Sequence, residues 1–209
     1  LTAIVLAALA GLGSLYQLFA AYAAQRWSAR RAHVPAERPP VTLLKPLCGD
    51  EARLLENLES FFLLSYPIVQ IVFGIRNAND PAIAVVRKLQ AAHPDADVAL
   101  VVDPAVYGSN LKISNLINMM GAAKHELLVL SDSDMAVEPD YLAPLVAALE
   151  RPGTGLATCL YLGNPLPGIW SELGAAGVNF GFLPSAMVSK LLGGKVGCYG
   201  ATVALTRTQ

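Results

Sequence analysis

Leu127-Leu128-Val129-Leu130-Ser131-Asp132-Ser133-Asp134 carries four apolar residues into two carboxylates set one residue apart. A short apolar run of this kind reads as a buried strand of a parallel sheet, and ligands of open α/β sheets gather beyond the carboxyl ends of such strands. Side chains at i and i+2 of an extended chain point the same way, so bare carboxylates at Asp132 and Asp134 would repel each other. A divalent cation between them resolves the repulsion. Oxygen-only ligands favour Mg2+ or Mn2+, and an ion of that class in turn holds phosphate oxygens. A solvated Asp-Ser-Asp turn closing a strand is the alternative for the tripeptide taken alone.

Placing two carboxylates at a sheet edge requires a core. The 209 residues suit one domain of ample size, and 54% hydrophobic content exceeds that of an ordinary soluble domain. The excess has a local source. Leu1 to Ala24 contains no charged residue and is long enough to cross a hydrocarbon core, which takes about 20 helical residues. Arg26, Trp27, Arg30 and Arg31 follow, an interfacial aromatic among clustered positive charges, which places what comes next in the cytoplasm. A cleaved signal peptide is the competing reading, because Ala21-Tyr22-Ala23 resembles a cleavage site, but the apolar run is long and the charges lie after it. Residues 25–40, basic and then rich in proline, read as a stiff linker to a domain over 41–209.

A formal net charge of -1 gives no nucleic-acid footprint. Cys48, Cys159 and Cys198 are too scattered for a zinc site or a disulfide framework and read as buried thiols of a reducing compartment. His33, His93 and His125 are equally dispersed and read as surface or helix-end residues.

Strand and helix patterns alternate along the domain. Val41 to Leu47 reads as a first strand ending in a Cys48-Gly49-Asp50 turn, with a helix over 51–64. Ile68 to Ile75 is a second strand, after which Asp80-Pro81 supplies an N-cap and a first-turn proline for a helix to about His93. Asp97 to Val102 is a third strand, Asn110 to Lys124 a helix, and Val137 to Glu150 the helix after the acidic pair. Further strands are expected over 155–160 and 196–205. Such alternation predicts an α/β fold, a mostly parallel sheet covered by helices on both faces. Gly168 to Leu192 has helical character with charge limited to Glu172 and Lys190, and reads either as a core helix or as a segment lying at a membrane interface and receiving a lipid. Gly193-Gly194-Lys195-Val196-Gly197 lacks the spacing of a phosphate loop.

The order of these features resembles the glycosyltransferases of the GT-A fold, and most closely the ceramide glucosyltransferases of family 21 and their bacterial relatives in hopanoid biosynthesis. The residues that carry the likeness are Val41-Thr42-Leu43-Leu44-Lys45-Pro46-Leu47, Asn57-Leu58-Glu59-Ser60-Phe61-Phe62, Asn79-Asp80-Pro81-Ala82, Lys112-Ile113-Ser114-Asn115-Leu116 and Asp132-Ser133-Asp134. The resemblance implies a Rossmann-like GT-A sheet behind an N-terminal transmembrane helix in the bacterial inner membrane. It implies transfer from a UDP-sugar to a lipid hydroxyl, ceramide or a hopanoid-type polyol, with inversion at the anomeric carbon. Asp132 and Asp134 would hold Mg2+ or Mn2+, Asp80 would contact the uracil or ribose, Lys112 would meet the diphosphate, and Asn115 would support the same loop.

The chain departs from that pattern in one respect. The family's general base and its Gln-x-x-Arg-Trp motif do not occur before Gln209, so no catalytic base is assigned within these residues, and the sequence, which begins without Met, reads as a fragment. Two alternatives stand beside this reading: a haloacid-dehalogenase-type phosphohydrolase using Asp132 and Asp134, and an inert binding domain that keeps the GT-A shell.

Overall fold

A computed structural model describes residues 1–29, 35, 37–194 and 197–207. The expected positive charges Arg30 and Arg31, and Lys195 and Val196, lie outside the described residues. Two compact units are present. One is built from α1 (Thr2–Ser28), α6 (Ile169–Ala176), a π-helical turn (Gly177–Phe182) and α7 (Leu183–Leu191); the other contains the sheet and its helices.

The sheet unit runs β1 (Val41–Leu47), α2 (Leu54–Glu59), β2 (Val69–Ile75), α3 (Ala82–Ala92), β3 (Asp97–Val102), α4 (Leu111–Met119), β4 (Leu127–Ser131), α5 (Leu142–Leu149), β5 (Ala157–Thr158) and β6 (Thr202–Thr206). Strand order is β3-β2-β1-β4-β6-β5. The first four are parallel, as expected; β6 runs antiparallel between β4 and β5. The period of two in each strand divides the core between the faces. Leu43, Phe73 and Val129 meet α2, α3 and α5 on one side, while Leu44, Val72 and Leu128 meet Leu116 and Met119 of α4 on the other. Each fully buried side chain of this size contributes about 1.5–3 kcal/mol relative to leaving it in water.

Several helices are shorter than the apolar pattern suggests, each for a local reason. Arg53 adopts a left-handed conformation with φ 60°, so α2 starts only at Leu54 and tightens into a 3-10 turn over Ser60–Leu63. The helix expected from Val137 begins at Leu142. Pro144 has no N–H to give and is tolerated in a first turn, while the Val137 and Ser65 N–H groups are already committed to Ser60 Oγ and the Pro139 carbonyl at 3.0 and 2.8 Å. The helix expected to reach Lys124 ends at Met119 before Gly121.

Buried Gln70 takes over where α4 stops. Its amide donates to the Ala122 carbonyl at 2.9 Å, and its oxygen accepts from the Lys124 N–H and from Thr42 Oγ1, both at 2.8 Å. This network fixes the turn from α4 into β4. Both of those elements carry candidate site residues.

Candidate functional site

Parallel β1, β2 and β4 all point their carboxyl ends toward one edge. Chain order takes β2 to one side of β1 and β4 to the other, which creates a switch point where α/β sheets open a crevice. A cleft of about 470 Å³ lies there. Asp80, Lys112, Asn115, Asp132 and Asp134, singled out from the sequence, all line it.

Asp132 is held from several directions. Its N–H donates to the Ala201 carbonyl at 3.1 Å, its carbonyl accepts from Lys45 Nζ, and its carboxylate accepts from Lys112 Nζ. Asp134 is exposed in the same cleft. Lys112 reaches across because Asn110 caps α4, its side chain accepting from the Lys112 and Ile113 N–H groups at 3.1 and 3.2 Å.

Asp80 spends both carboxylate oxygens on backbone. The Gly49 N–H donates to Oδ1 and Oδ2 at 3.1 and 2.9 Å, and the Ala82 N–H donates to Oδ1 at 2.9 Å. One carboxylate therefore starts α3 and fixes the turn after β1. Gly49 suits that turn because its φ of 77° lies in the left-handed region. Asn115 is buried and donates to the Gly74 carbonyl at 2.8 Å, joining α4 to β2.

Sequence reasoning missed Lys45. It occupies the inward-facing series of Val41, Leu43 and Leu47, is fully buried, and places Nζ 3.8 Å from the Phe61 ring centroid and 3.3 Å from Ser131 Oγ. Burial pulls its pKa down to about 7, against the opposing pull of Asp132, Asp134 and Glu51. The signal was available, since a lysine in an apolar alternation needs a partner. Glu51 and Arg76 were missed as well, because nothing in their local spacing marks them. Both line the cleft with Asn115, and Glu51 Oε2, Arg76 Nε and Asn115 Oδ1 are buried without a hydrogen-bond partner among the described residues. The three residues line one cleft, which makes its wall polar beneath the surface.

Among the described residues no group of three His, Cys, Asp or Glu side chains surrounds a common point. A closed structural metal cage does not fit these residues. A hard divalent ion does: Mg2+ and Mn2+ sites are commonly made from one or two carboxylates, with waters and substrate phosphates completing the shell. The ammonium of Lys112 on Asp132 shows that the carboxylate already accepts a cation in this position.

Comparison with known proteins places these features in context. The description "Glycosyl transferase family 21" belongs to the family model that matches residues 4–209. Ceramide glucosyltransferase 1 of Caenorhabditis elegans is 32% identical over 111 residues, covering 53% of this chain and 24% of that protein. The ceramide glucosyltransferase of Komagataella phaffii is 30% identical over 132 residues, covering 61% and 26%. This chain thus spans about a quarter of the length of the curated relatives it matches. Mannosyltransferase PcManGT from Pyrobaculum calidifontis, solved with GDP-Man and Mn2+, superposes with a TM-score of 0.62 at 23% identity, over 99% of this chain and 56% of that one. Glucosyl-3-phosphoglycerate synthase from Mycobacterium tuberculosis, solved with Mn2+, UDP and phosphoglyceric acid, gives 0.51 at 18% identity, over 81% and 56%. These two likenesses establish the GT-A fold.

Proposed function

Because the chain belongs to glycosyl transferase family 21, we propose that the whole protein moves a hexose from a UDP-sugar to a lipid hydroxyl, ceramide or a hopanoid-type polyol, with inversion. Residues 41–209 supply the N-terminal portion of the GT-A domain. No general base is assigned among the residues of this chain. Thr2–Ser28 is long and apolar enough to cross a bilayer. With Arg26, Trp27, Arg30 and Arg31 at its end, it anchors a cytoplasmic domain at the inner membrane of a bacterium. Tethering raises the effective concentration of a lipid acceptor without any new contact.

One observation carries this reading: Asp80, Lys112, Asn115, Asp132 and Asp134 converge on a single cleft at the sheet's switch point. Asp132 and Asp134 are the residues to hold Mg2+ or Mn2+, which when bound neutralises charge on the leaving diphosphate. Lys112 adds a fixed positive charge for phosphate oxygens from the α4 side. Asp80 orders the wall formed by Gly49 and the start of α3, and in doing so shapes the place for the uracil and ribose. Asn115 keeps α4, and with it Lys112, against β2.

Titration calorimetry of the chain with UDP and Mn2+ tests the donor site. Binding should require the metal and disappear in the Asp132→Asn/Asp134→Asn double variant; undiminished binding in that variant refutes the assignment. For the reaction itself, the whole protein in membranes is given UDP-glucose or UDP-N-acetylglucosamine with ceramide or a hopanoid polyol. Release of phosphate from generic esters without UDP-sugar turnover would point instead to a phosphohydrolase.

A further inference from the structure

Asp132, Ser133, Asp134 and Met135 form a turn, closed by the Met135 N–H donating to the Asp132 carbonyl at 3.3 Å. Both candidate metal carboxylates ride on it. Their direction is therefore set by whatever holds the main chain of Asp132. On the β6 side a backbone bond does so, the Asp132 N–H donating to the Ala201 carbonyl at 3.1 Å.

On the β1 side the backbone ladder ends too early. The register between β1 and β4 runs from Val41 opposite Leu127 to Leu44 opposite Leu130 and stops there. The Val41 N–H donates to the Ile68 carbonyl on the β2 side, so by the alternation of a strand the N–H groups of residues 42, 44 and 46 belong to the β4 side. Residue 46 is proline and has no N–H to give.

The side chain of Lys45 takes over at this point. Its Nζ donates to the Asp132 carbonyl and lies 3.3 Å from Ser131 Oγ, with the Phe61 ring centroid 3.8 Å away. It is fully buried and does not line the cleft, whose wall is made instead by its neighbours Pro46, Leu47 and Cys48. Lys45 is thus placed to act on a metal or nucleotide only through the turn. Burying an ammonium costs free energy, and an apolar side chain of similar volume at such a site is often neutral or stabilising. What the ammonium supplies is direction.

From this geometry we infer that Lys45 is the positioning residue of the carboxylate turn, holding the Asp132 carbonyl where the β1 ladder stops and so keeping Asp132 and Asp134 at the cleft. The inference rests on the donor-site reading and deepens it by one residue that touches neither metal nor nucleotide.

Lys45→Met in the full chain, in detergent micelles at fixed pH, separates holding a turn from supplying charge. Loss of a positive charge near two carboxylates would by itself tighten Mn2+ binding, whereas a slackened turn weakens it. The methionine variant should therefore bind Mn2+ alone severalfold more weakly by electron paramagnetic resonance titration, and UDP in saturating Mn2+ about tenfold more weakly by calorimetry. By NMR, the Asp132 and Met135 N–H groups should exchange with deuterium about tenfold faster, while Val129 in the middle of β4 keeps its rate and the melting temperature does not fall. Unchanged or tighter binding of either ligand overturns the inference, and so do unmoved exchange rates. A variant that melts well below the wild type overturns it too, by making Lys45 a folding residue. If the wild-type chain binds neither Mn2+ nor UDP, the donor-site reading fails, and the exchange rates alone decide whether Lys45 holds the turn.

Discussion

Lys112 Nζ donates to Asp132 Oδ1, joining the first turn of α4 to the end of β4 across the candidate cleft. The side chains are 44% and 33% exposed, so the pair itself adds on the order of 0.2–1 kcal/mol to stability. Its interest lies in competition. A divalent ion and the ammonium seek the same carboxylate, whereas phosphate oxygens attract both. Lys112→Met should therefore bind Mn2+ alone severalfold more tightly and bind UDP in saturating Mn2+ about tenfold more weakly, a loss of about 1.4 kcal/mol. Calorimetric titrations of metal and nucleotide separately check the two signs. Both affinities falling together would rule out the competition.

Lys45 gives a pH dependence of definite sign. Its pKa in the folded chain is about 7 against an ordinary 10.5, with burial as the leading cause. Below about pH 7 both folded and unfolded chains carry the proton and the cost of burying the charge is fully present. Between about 7 and 10 only the unfolded chain binds it, so stability rises with pH there by up to about 1.4 kcal/mol per unit. Lys45→Met removes this slope and, by removing a buried charge, should leave the fold at least as stable at neutral pH. Urea midpoints at successive pH values, compared between the two proteins, measure the difference. A parallel pair of curves would place the charge of Lys45 in water.

Gly74 of β2 packs closely against α4 near the cleft. A Cβ on it would stand 2.3 Å from Met119 Sδ and 2.7 Å from Asn115 Oδ1. Met119 can move, but Asn115 is fixed by its bond to the Gly74 carbonyl. Gly74→Ala should cost about 1–3 kcal/mol by overpacking. Because α4 carries Lys112, UDP affinity should fall with it. Thermal unfolding and calorimetry on the same preparation check both, and an alanine variant of unchanged melting temperature would refute the close packing.

Much of this was legible in the sequence, for reasons that differ between residues. Leu127–Ser131 could be placed because a strand buried on both faces reads as a continuous apolar run, and Val41–Leu47 because its apolar residues outnumber Thr42 and Lys45 and a Cys-Gly-Asp turn ends it. Asp132 and Asp134 stood out as carboxylates at the end of one such run. Helix ends were less readable: nothing local announces that Arg53 takes φ 60° or that Gln70, 54 residues before Lys124 along the chain, caps the turn after α4. The same limit hid Glu51 and Arg76, whose place in the cleft depends on β1 and β2 lying side by side. Lys45 was an oversight of a different kind, because its period-two position already demanded a buried ammonium.

Asp80 combines capping with its place in the cleft, and a graded pair of variants separates the two. Asp80→Asn keeps one acceptor oxygen, whereas Asp80→Ala leaves the Gly49 and Ala82 N–H groups without the carboxylate they now share. Stability should fall in that order, by about 1–3 kcal/mol for alanine. UDP affinity should already drop in the asparagine variant if the charge helps position the nucleoside. Nucleotide binding that tracks only the melting temperature would reduce Asp80 to a cap.

The three cysteines report on the cleft without any assay of turnover. Contrary to the expectation of buried thiols, Cys48 is exposed and lines it and Cys198 is exposed, because both lie in loop segments beyond strand or helix ends; Cys159 is partly buried, with burial pushing its thiol up to about 11. At about pH 8 a thiol of that kind is ionised in only about one molecule in a thousand, so iodoacetamide should reach Cys159 last. Saturating UDP with Mn2+ should slow alkylation of Cys48 about tenfold, since a filled cleft excludes the reagent, and leave Cys198 unaffected. Mass spectrometry of peptides at timed intervals gives the three rates separately. If Cys48 reacts at the same rate with and without ligand that calorimetry shows to be bound, the nucleotide occupies some other part of the chain, and Asp132 and Lys112 lose their assigned roles with it.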